Sequence, residues 1–237
     1  MSDLLNRESE LQEFVKDYFS KKSKANKLKI LEAGCGADSP VKLEQAGNYV
    51  VGIDISKKQI ERNKVVNEGI VGDIQSYPLQ KSEFDMIICW NVLEHLEHPD
   101  RALENFKNAI KPGGLIVIGI PNVLSIKGLV TKYTPHAFHI FFYKYVYRNA
   151  SLTGKDDTGP FKTFLKYSIS LPAIKKFAAK NNLKLIYNDS SDGGIWIKNS
   201  SKLAYYAFKG AKDLLKVLSF GRFGESELTL VMAKSEN

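Results

Sequence analysis

Residues 27–36 read Lys27-Leu-Lys-Ile-Leu-Glu-Ala-Gly-Cys-Gly36, a short apolar run that ends in a glycine-rich turn. The run from Lys27 to Glu32 is typical of a buried strand, and the glycines mark the carboxyl end of that strand. A second, β-branched strand is predicted over 49–55 (YVVGIDI), with a helix near 40–46 between the two. Two strands joined by a helix predict a parallel sheet.

The same alternation continues along the chain. Ser56 is expected to cap a polar helix that runs to Gly69, and a short strand then leads to Gly72-Asp73. Further strands are predicted over 84–90, 115–120, 183–187 and 227–233, and further helices over 3–23, 99–111, 171–181 and 202–218. Near-continuous apolar strands that alternate with helices indicate a sheet covered on both faces, which is an α/β fold. We expect a single domain over 1–237 with substrate-side insertions at about 122–170 and 190–225.

Charge is spread unevenly over the 237 residues, whose formal net charge is +8. No acidic residue lies between Glu104 and Asp156, and this stretch is rich in aromatic residues. Such a surface favours anionic partners, or it serves only solubility. The charged N-terminus lacks the apolar core of a signal peptide, and two cysteines (Cys35 and Cys89) suit a reduced compartment, so we expect a cytoplasmic protein.

Three features follow the predicted strands at their carboxyl ends, where open α/β sheets bind ligands. Gly34 and Gly36 let the backbone approach a ligand closely. Asp54 ends the second strand, where a carboxylate can accept both hydroxyls of a ribose, and Asp73 ends the third, where it can meet an adenine amino group. Together they predict a cofactor that contains adenosine.

The residues around the first turn discriminate between adenosine cofactors. A dinucleotide fingerprint needs a third small residue, and Ser39 followed by Pro40 breaks that pattern. Glu32 would repel a pyrophosphate, but its charge suits the sulfonium and ammonium groups of S-adenosylmethionine. A nicotinamide-dependent oxidoreductase is therefore disfavoured.

The segments LEAGCGAD, VVGIDIS, GDI and FDMIICWNVLEHL followed by KPGG resemble the motifs of class I S-adenosylmethionine-dependent methyltransferases. The last is similar to the ubiquinone/menaquinone-type small-molecule subgroup. The resemblance covers about residues 27–121 and the terminal strands. It implies a Rossmann-like, doubly wound sheet of seven strands whose last strand is antiparallel, and ELTLVMA occupies the place of that strand.

The resemblance also implies which residues bind the cofactor. Those expected around the methionine part, the ribose and the adenine are Glu32, Gly34, Cys35, Gly36, Asp54, Ile55, Asp73, Ile74, Trp90 and Asn91. Asn91 stands where quinone-type members often carry an acidic residue before Glu94-His95, and some members use that cluster for a divalent metal. We therefore predict no metal site.

His95 is the first candidate for a base that deprotonates a hydroxyl or carboxyl acceptor, because it follows the fourth strand closely. Its alternative role is that of a surface or supporting histidine. His136 and His139 are rival candidates, and Tyr133 and Tyr143 are candidates for lining an acceptor pocket.

The acceptor class is narrowed by two motifs that the sequence lacks. Base-amino methyltransferases carry Asp/Asn-Pro-Pro-aromatic where this chain reads CWNV, and neither cysteine follows a proline as cytosine-C5 enzymes require. We expect O-methylation of a small-molecule, lipid- or sugar-type acceptor and disfavour nucleic acid. An RNA methyltransferase and a non-catalytic cofactor-binding member of the fold are the alternatives.

The helix predicted over 202–218 carries Leu203, Ala207, Ala211, Leu214 and Leu218 on one face, with its lysines largely elsewhere. A basic amphipathic helix can lie on an anionic membrane, which would make the protein peripheral at the membrane surface. It can equally form a lid that packs its apolar face on the domain.

Overall fold

The computed structural model describes residues 2–22, 27–38, 47–135, 161–191, 202–219 and 223–236. Its strands are β1 (Lys29–Ala33), β2 (Tyr49–Asp54), β3 (Glu68–Val71), β4 (Phe84–Trp90), β5 (Ile110–Pro121), β6 (Leu183–Ser191) and β7 (Glu227–Lys234). Within these residues they form a seven-stranded sheet in the order β3-β2-β1-β4-β5-β7-β6. Only β7 is antiparallel to its neighbours, β5 and β6. The predicted α/β fold with an antiparallel last strand is confirmed.

Helices cover both faces of this sheet. They are α1 (Ser2–Ser20), α2 (Lys57–Arg62), α3 (Pro99–Ala109), α4 (Ile126–Tyr133), α5 (Leu171–Lys180) and α6 (Lys202–Leu218). Successive residues of a strand point to opposite faces, so Ile87 of β4 joins the core formed with α3 and α5, whereas Met86 joins the core formed with α1. Both side chains are fully buried. The central strands are therefore apolar on both sides, as the sequence indicated.

Helix α2 is shorter than predicted. It begins after Ser56, whose hydroxyl accepts from the Gln59 amide, but it ends at Arg62 instead of continuing to Gly69. Asn63 ends it: its Oδ1 accepts from the Val65 amide at 2.9 Å, and its Nδ2 donates to the Cys35 carbonyl at 3.1 Å. Gly69, expected to stop the helix, lies within β3.

The boundary between α3 and β5 was also predicted wrongly. The Pro112-Gly113-Gly114 segment was expected to be a turn between a helix over 99–111 and a strand over 115–120. Instead α3 ends at Ala109, and β5 runs from Ile110 through that segment. Ile110 pairs with Phe84 and Leu115 with Met86, so the segment bulges within one strand.

The first insertion contains an unpredicted helix, α4, and a 3₁₀ turn at Tyr167–Ile169. The second insertion contains α6, with the bounds that the sequence predicted. The helix expected near 40–46 lies outside the described residues, as do His136, His139 and Tyr143. Among the helices that the structure describes, none has both the length and the apolar composition to cross a bilayer.

Candidate functional site

The turn after β1 requires glycine at two positions. Gly34 and Gly36 have φ angles of +75° and +52°, a region that L side chains rarely adopt. A Cβ on Gly34 would also lie 2.4 Å from Cγ2 of Val92, whereas one on Gly36 would meet open space. The turn therefore packs tightly against the loop after β4 and leaves its backbone at Gly36 open to a ligand.

Asp54 is held beside this turn. Its Oδ2 accepts from the Gly36 amide at 2.9 Å and its Oδ1 from the Ser56 amide at 2.8 Å. Each oxygen keeps further acceptor capacity, so the carboxylate can accept additional hydroxyl donors such as those of a ribose. Ile55 follows it with 75% of its surface exposed, and its contact with the adenine stays a prediction.

Glu32 lies beneath the turn and is buried near the end of β1. Its register neighbours are Gly52 of β2 and Ile88 of β4. Burial, followed by the charges of Asp54 and Glu32, raises the pKa of Cys35 to about 12. The environment is therefore anionic, which suits a ligand with cationic groups and leaves Cys35 as a protonated thiol.

Asp73 is fixed by a residue that the sequence analysis missed. Gln75 donates from Nε2 to both oxygens of Asp73, each at 3.0 Å, and from its amide to Oδ1 at 2.8 Å. Oε1 of the same Gln75 accepts from the His98 amide at 2.7 Å. Asp73 is thereby tied to the loop before α3. The neighbouring Ile74 side chain is buried in the core, so only its backbone can face a ligand.

The end of β4 and the loop after it lie beside the glycine turn, where Val92 contacts Gly34. Asn91 adopts a φ of +53° and its amide donates to the Gly119 carbonyl at 2.8 Å. The ring of half-buried Trp90 lies against Gly119, where a Cβ would be 2.3 Å from the ring. The Asn91 side chain is exposed. The two residues expected beside the methionine part thus have a fixed backbone.

His95 lies on a 3₁₀ turn, Leu93–His95, in the same loop. Its Nδ1 is 2.9 Å from the carbonyl oxygen of Lys162, and its ring contacts the ring of Phe161 edge-on at 5.7 Å. We call residues 161–166 the strap. The amides of Phe164 and Leu165 in the strap donate to the Glu94 carbonyl at 2.8 and 3.1 Å.

Glu94 carries a buried carboxyl next to His95. Its side-chain Oε1 lies 3.9 Å from Nε2 of His95, longer than a hydrogen bond. Its Oε2 has no hydrogen-bond partner among the described residues. Burial raises the pKa of Glu94 to about 8, and Lys127 lowers it only partly. At pH 7 this side chain is therefore mostly protonated.

Residues 31–118 match a family model described as a methyltransferase domain, and they include every predicted cofactor residue and His95. The chain is 28% identical over 140 residues to the mitochondrial ubiquinone biosynthesis O-methyltransferase of Schizosaccharomyces pombe, covering 54% of this chain and 51% of that protein. It is 27% identical over 119 residues to the ubiquinone biosynthesis O-methyltransferase of Hydrogenovibrio crunogenus, with 46% and 48% covered. Residues 31–118 are therefore those of a methyltransferase domain.

Solved structures agree with this fold. An S-adenosylmethionine-dependent methyltransferase from Archaeoglobus fulgidus superimposes with a TM-score of 0.53 at 17% identity, covering 94% of both chains. The magnesium protoporphyrin IX methyltransferase of Synechocystis, with bound S-adenosylhomocysteine, gives 0.52 at 15% identity, covering 95% of this chain and 82% of that one. The chain spans about half or less of the length of the first curated relatives that it matches.

The residues of this methyltransferase domain fit S-adenosylmethionine as the cofactor. Gly34 and Gly36 provide a backbone cradle, Asp54 a ribose acceptor and Glu32 negative charge near the cationic end. The nicotinamide alternative is set aside by the family match. The roles of individual residues stay predictions.

An acceptor-side cavity of about 730 Å³ lies at the same edge of the methyltransferase sheet. It is formed where β5 and β6 end and β7 begins, next to the start of α5 and the end of α6. Its lining is mainly apolar, with some amide and hydroxyl groups and the Glu225 carboxylate, and includes Leu124, Leu171, Ser190, Leu218, Phe223 and Leu228. Tyr133, expected to line an acceptor pocket, is 70% exposed and is not among the lining residues.

Proposed function

We propose that this protein is an O-methyltransferase for a small-molecule, lipid- or sugar-type acceptor, with His95 as the base. The observation that carries the proposal is the 2.9 Å contact between Nδ1 of His95 and the Lys162 carbonyl. When bound, S-adenosylmethionine supplies a methyl group already activated on a sulfonium. The protein then has to align the acceptor and remove its proton.

The contact with the strap supports Nε2 of His95 as the nitrogen that acts. A carbonyl oxygen only accepts hydrogen bonds, so Nδ1 carries the proton in the neutral ring and Nε2 keeps its lone pair. That lone pair accepts the acceptor hydroxyl proton as the new oxygen–carbon bond forms. Because Glu94 is mostly protonated at pH 7, it does not compete for His95 as an ion-pair partner.

The acceptor-side cavity supports an acceptor with a substantial apolar part. Its volume of about 730 Å³ is within the range of small-molecule sites, roughly 300–1,000 Å³. Side chains such as Leu124, Leu171 and Phe223 offer apolar contacts, whereas Ser190 and Asn188 can orient a few polar groups. The two O-methyltransferase relatives, which act in ubiquinone biosynthesis by their names, are consistent with this class.

The test measures S-adenosylhomocysteine formation with aromatic alcohols, prenylated phenols, carboxylic acids and sugars as acceptors. For an accepted alcohol, His95→Asn should lower kcat by about 100-fold or more, the usual contribution of a general base. A phenol acidic enough to be ionised at the assay pH is the internal control, because it needs no base and should lose little rate.

Several outcomes would contradict the proposal. An unchanged kcat for His95→Asn with a neutral alcohol would exclude the base. Thermal stabilisation by S-adenosylmethionine without turnover of any of these acceptors would exclude the acceptor class. The same assay with RNA would then test the other acceptor that the sequence left open, and a gel shift abolished by salt would support it.

A further inference from the structure

Helix α6 presents apolar side chains to solvent. Tyr206, Leu214, Val217 and Leu218 are 66%, 59%, 73% and 65% exposed. At about 100° per residue these four positions fall within an arc of roughly 120° on the helix. We call them the α6 apolar face.

The opposite side of α6 contacts the domain. Lys212 has a side chain only 14% exposed and pairs with Glu225 at 2.9 Å, just before β7. Ser219, directly after the helix, accepts from the Phe223 amide at 3.1 Å through its hydroxyl. The alternative that α6 packs its apolar face on the domain as a lid is therefore wrong for Ala211, Leu214 and Leu218, which are exposed. The side chains of Leu203 and Ala207 lie outside the described set.

The charge of α6 indicates which kind of surface would cover the α6 apolar face. The helix contains four lysines and one acidic residue, Asp213, and Lys209 and Lys216 are exposed along its flank. The whole chain has a net charge of +8. A second copy of the same chain would bring like charges together, whereas an anionic surface gains from the exposed Lys209 and Lys216.

We propose that α6 docks this protein onto an anionic lipid bilayer. The α6 apolar face enters the boundary between headgroups and acyl chains, while Lys209 and Lys216 contact the headgroups. Leu218 belongs to both the α6 apolar face and the lining of the acceptor-side cavity. Docking therefore brings that cavity next to the bilayer, from which an apolar acceptor can enter.

Vesicle co-sedimentation of the full chain tests this, with phosphatidylcholine alone or mixed with phosphatidylglycerol. We expect binding to the mixed vesicles that weakens with added salt. Each lysine near an anionic surface contributes roughly fivefold to binding. The double variant Lys209→Gln with Lys216→Gln should therefore bind about 25-fold more weakly. Lys176→Gln with Lys180→Gln on α5, both exposed, removes the same charge elsewhere and should change binding by less than about twofold.

Val217→Ser tests the apolar contribution and should weaken binding by about tenfold, because a fully buried valine contributes about that factor. Its side chain is exposed, so the variant should fold, which a melting curve checks. The proposal would be overturned if the α5 control variant lost as much vesicle binding as the α6 lysine variant. Equal binding of the wild type to both vesicle types would also overturn it. Size-exclusion chromatography that shows α6-dependent dimers without vesicle binding would also overturn it in favour of a second copy. No acceptor or cofactor enters this assay, so its outcome is independent of the methylation test.

Discussion

Replacing Glu94 with glutamine tests whether the loop after β4 holds a protonated carboxyl. The side chain is 5% exposed, and burial raises its pKa from 4.5 to about 8. In the unfolded chain the carboxyl ionises near its ordinary value, so between these pH values the folded state binds a proton that the unfolded state has lost. The stability associated with this group is therefore complete below about pH 4.5 and is lost as the pH rises through 8.

The size of the effect follows from the two pKa values. One pKa unit corresponds to about 1.4 kcal/mol. A rise from 4.5 to about 8 therefore costs the wild type about 4 kcal/mol of unfolding free energy between pH 5 and pH 8.5. The Glu94→Gln variant has no group to titrate there, so its stability relative to the wild type should increase by that amount over the same interval.

Urea denaturation at pH 5, 7 and 8.5 measures this difference. Glu97→Gln is the matched control, since it removes an exposed glutamate from the same loop and should follow the wild type. The quantity compared between Glu94→Gln and the wild type is the change in unfolding free energy with pH. The cost of placing an amide in the buried site is the same at every pH and therefore cancels from this comparison. Parallel pH dependences for the wild type and Glu94→Gln would refute the conclusion that Glu94 is protonated in the fold.

Three further predictions concern the cofactor turn. Gly34→Ala should lower the unfolding free energy by about 2–4 kcal/mol through backbone strain and overlap with Val92. Adding Val92→Ala to this variant should restore the part of the loss that is due to overlap. A loss in the double variant equal to the sum of the two single losses would contradict this. S-adenosylhomocysteine at 100 times its dissociation constant should stabilise the wild type against thermal unfolding by about 2.7 kcal/mol. Asp54→Ala should abolish this stabilisation, and an unchanged shift in the variant would exclude the ribose role of Asp54. Cys35, whose pKa is raised to about 12, should react with a thiol-specific disulfide reagent at pH 8 only after unfolding, and rapid labelling of the native protein would be inconsistent with its burial.

The cofactor turn shows how far sequence reasoning reached. Gly34, Gly36 and Asp54 could be predicted because each follows an apolar strand within a few residues, and parallel strands end at one edge of the sheet. Gln75 was missed, since its importance lies in hydrogen bonds to Asp73 and to the His98 amide. No pattern of residue types around Gln75 signals that arrangement.

His95 could be named as a candidate base, but its tautomer could not be predicted. The carbonyl that determines the tautomer belongs to Lys162, 67 residues later in the chain. The burial of Glu94 likewise depends on neighbours such as the strap, whose Phe164 and Leu165 amides bind its backbone. Contacts between segments so far apart leave no trace in local composition.

The sequence by itself determined the alternation of strands and helices, the edge of the sheet at which the candidate cofactor residues lie and the sign of the charge there. These follow from local periodicity, glycine conformation and residue charge, which act within a few positions. Only the tertiary structure decided where α2 ends, how β5 begins, which carbonyl lies against Nδ1 of His95 and which face α6 turns to solvent. For α2 and α6 the contact is polar: Asn63 binds Cys35 and Lys212 binds Glu225. Such a contact outweighs the local preference because it satisfies a polar group that would otherwise lose its solvation.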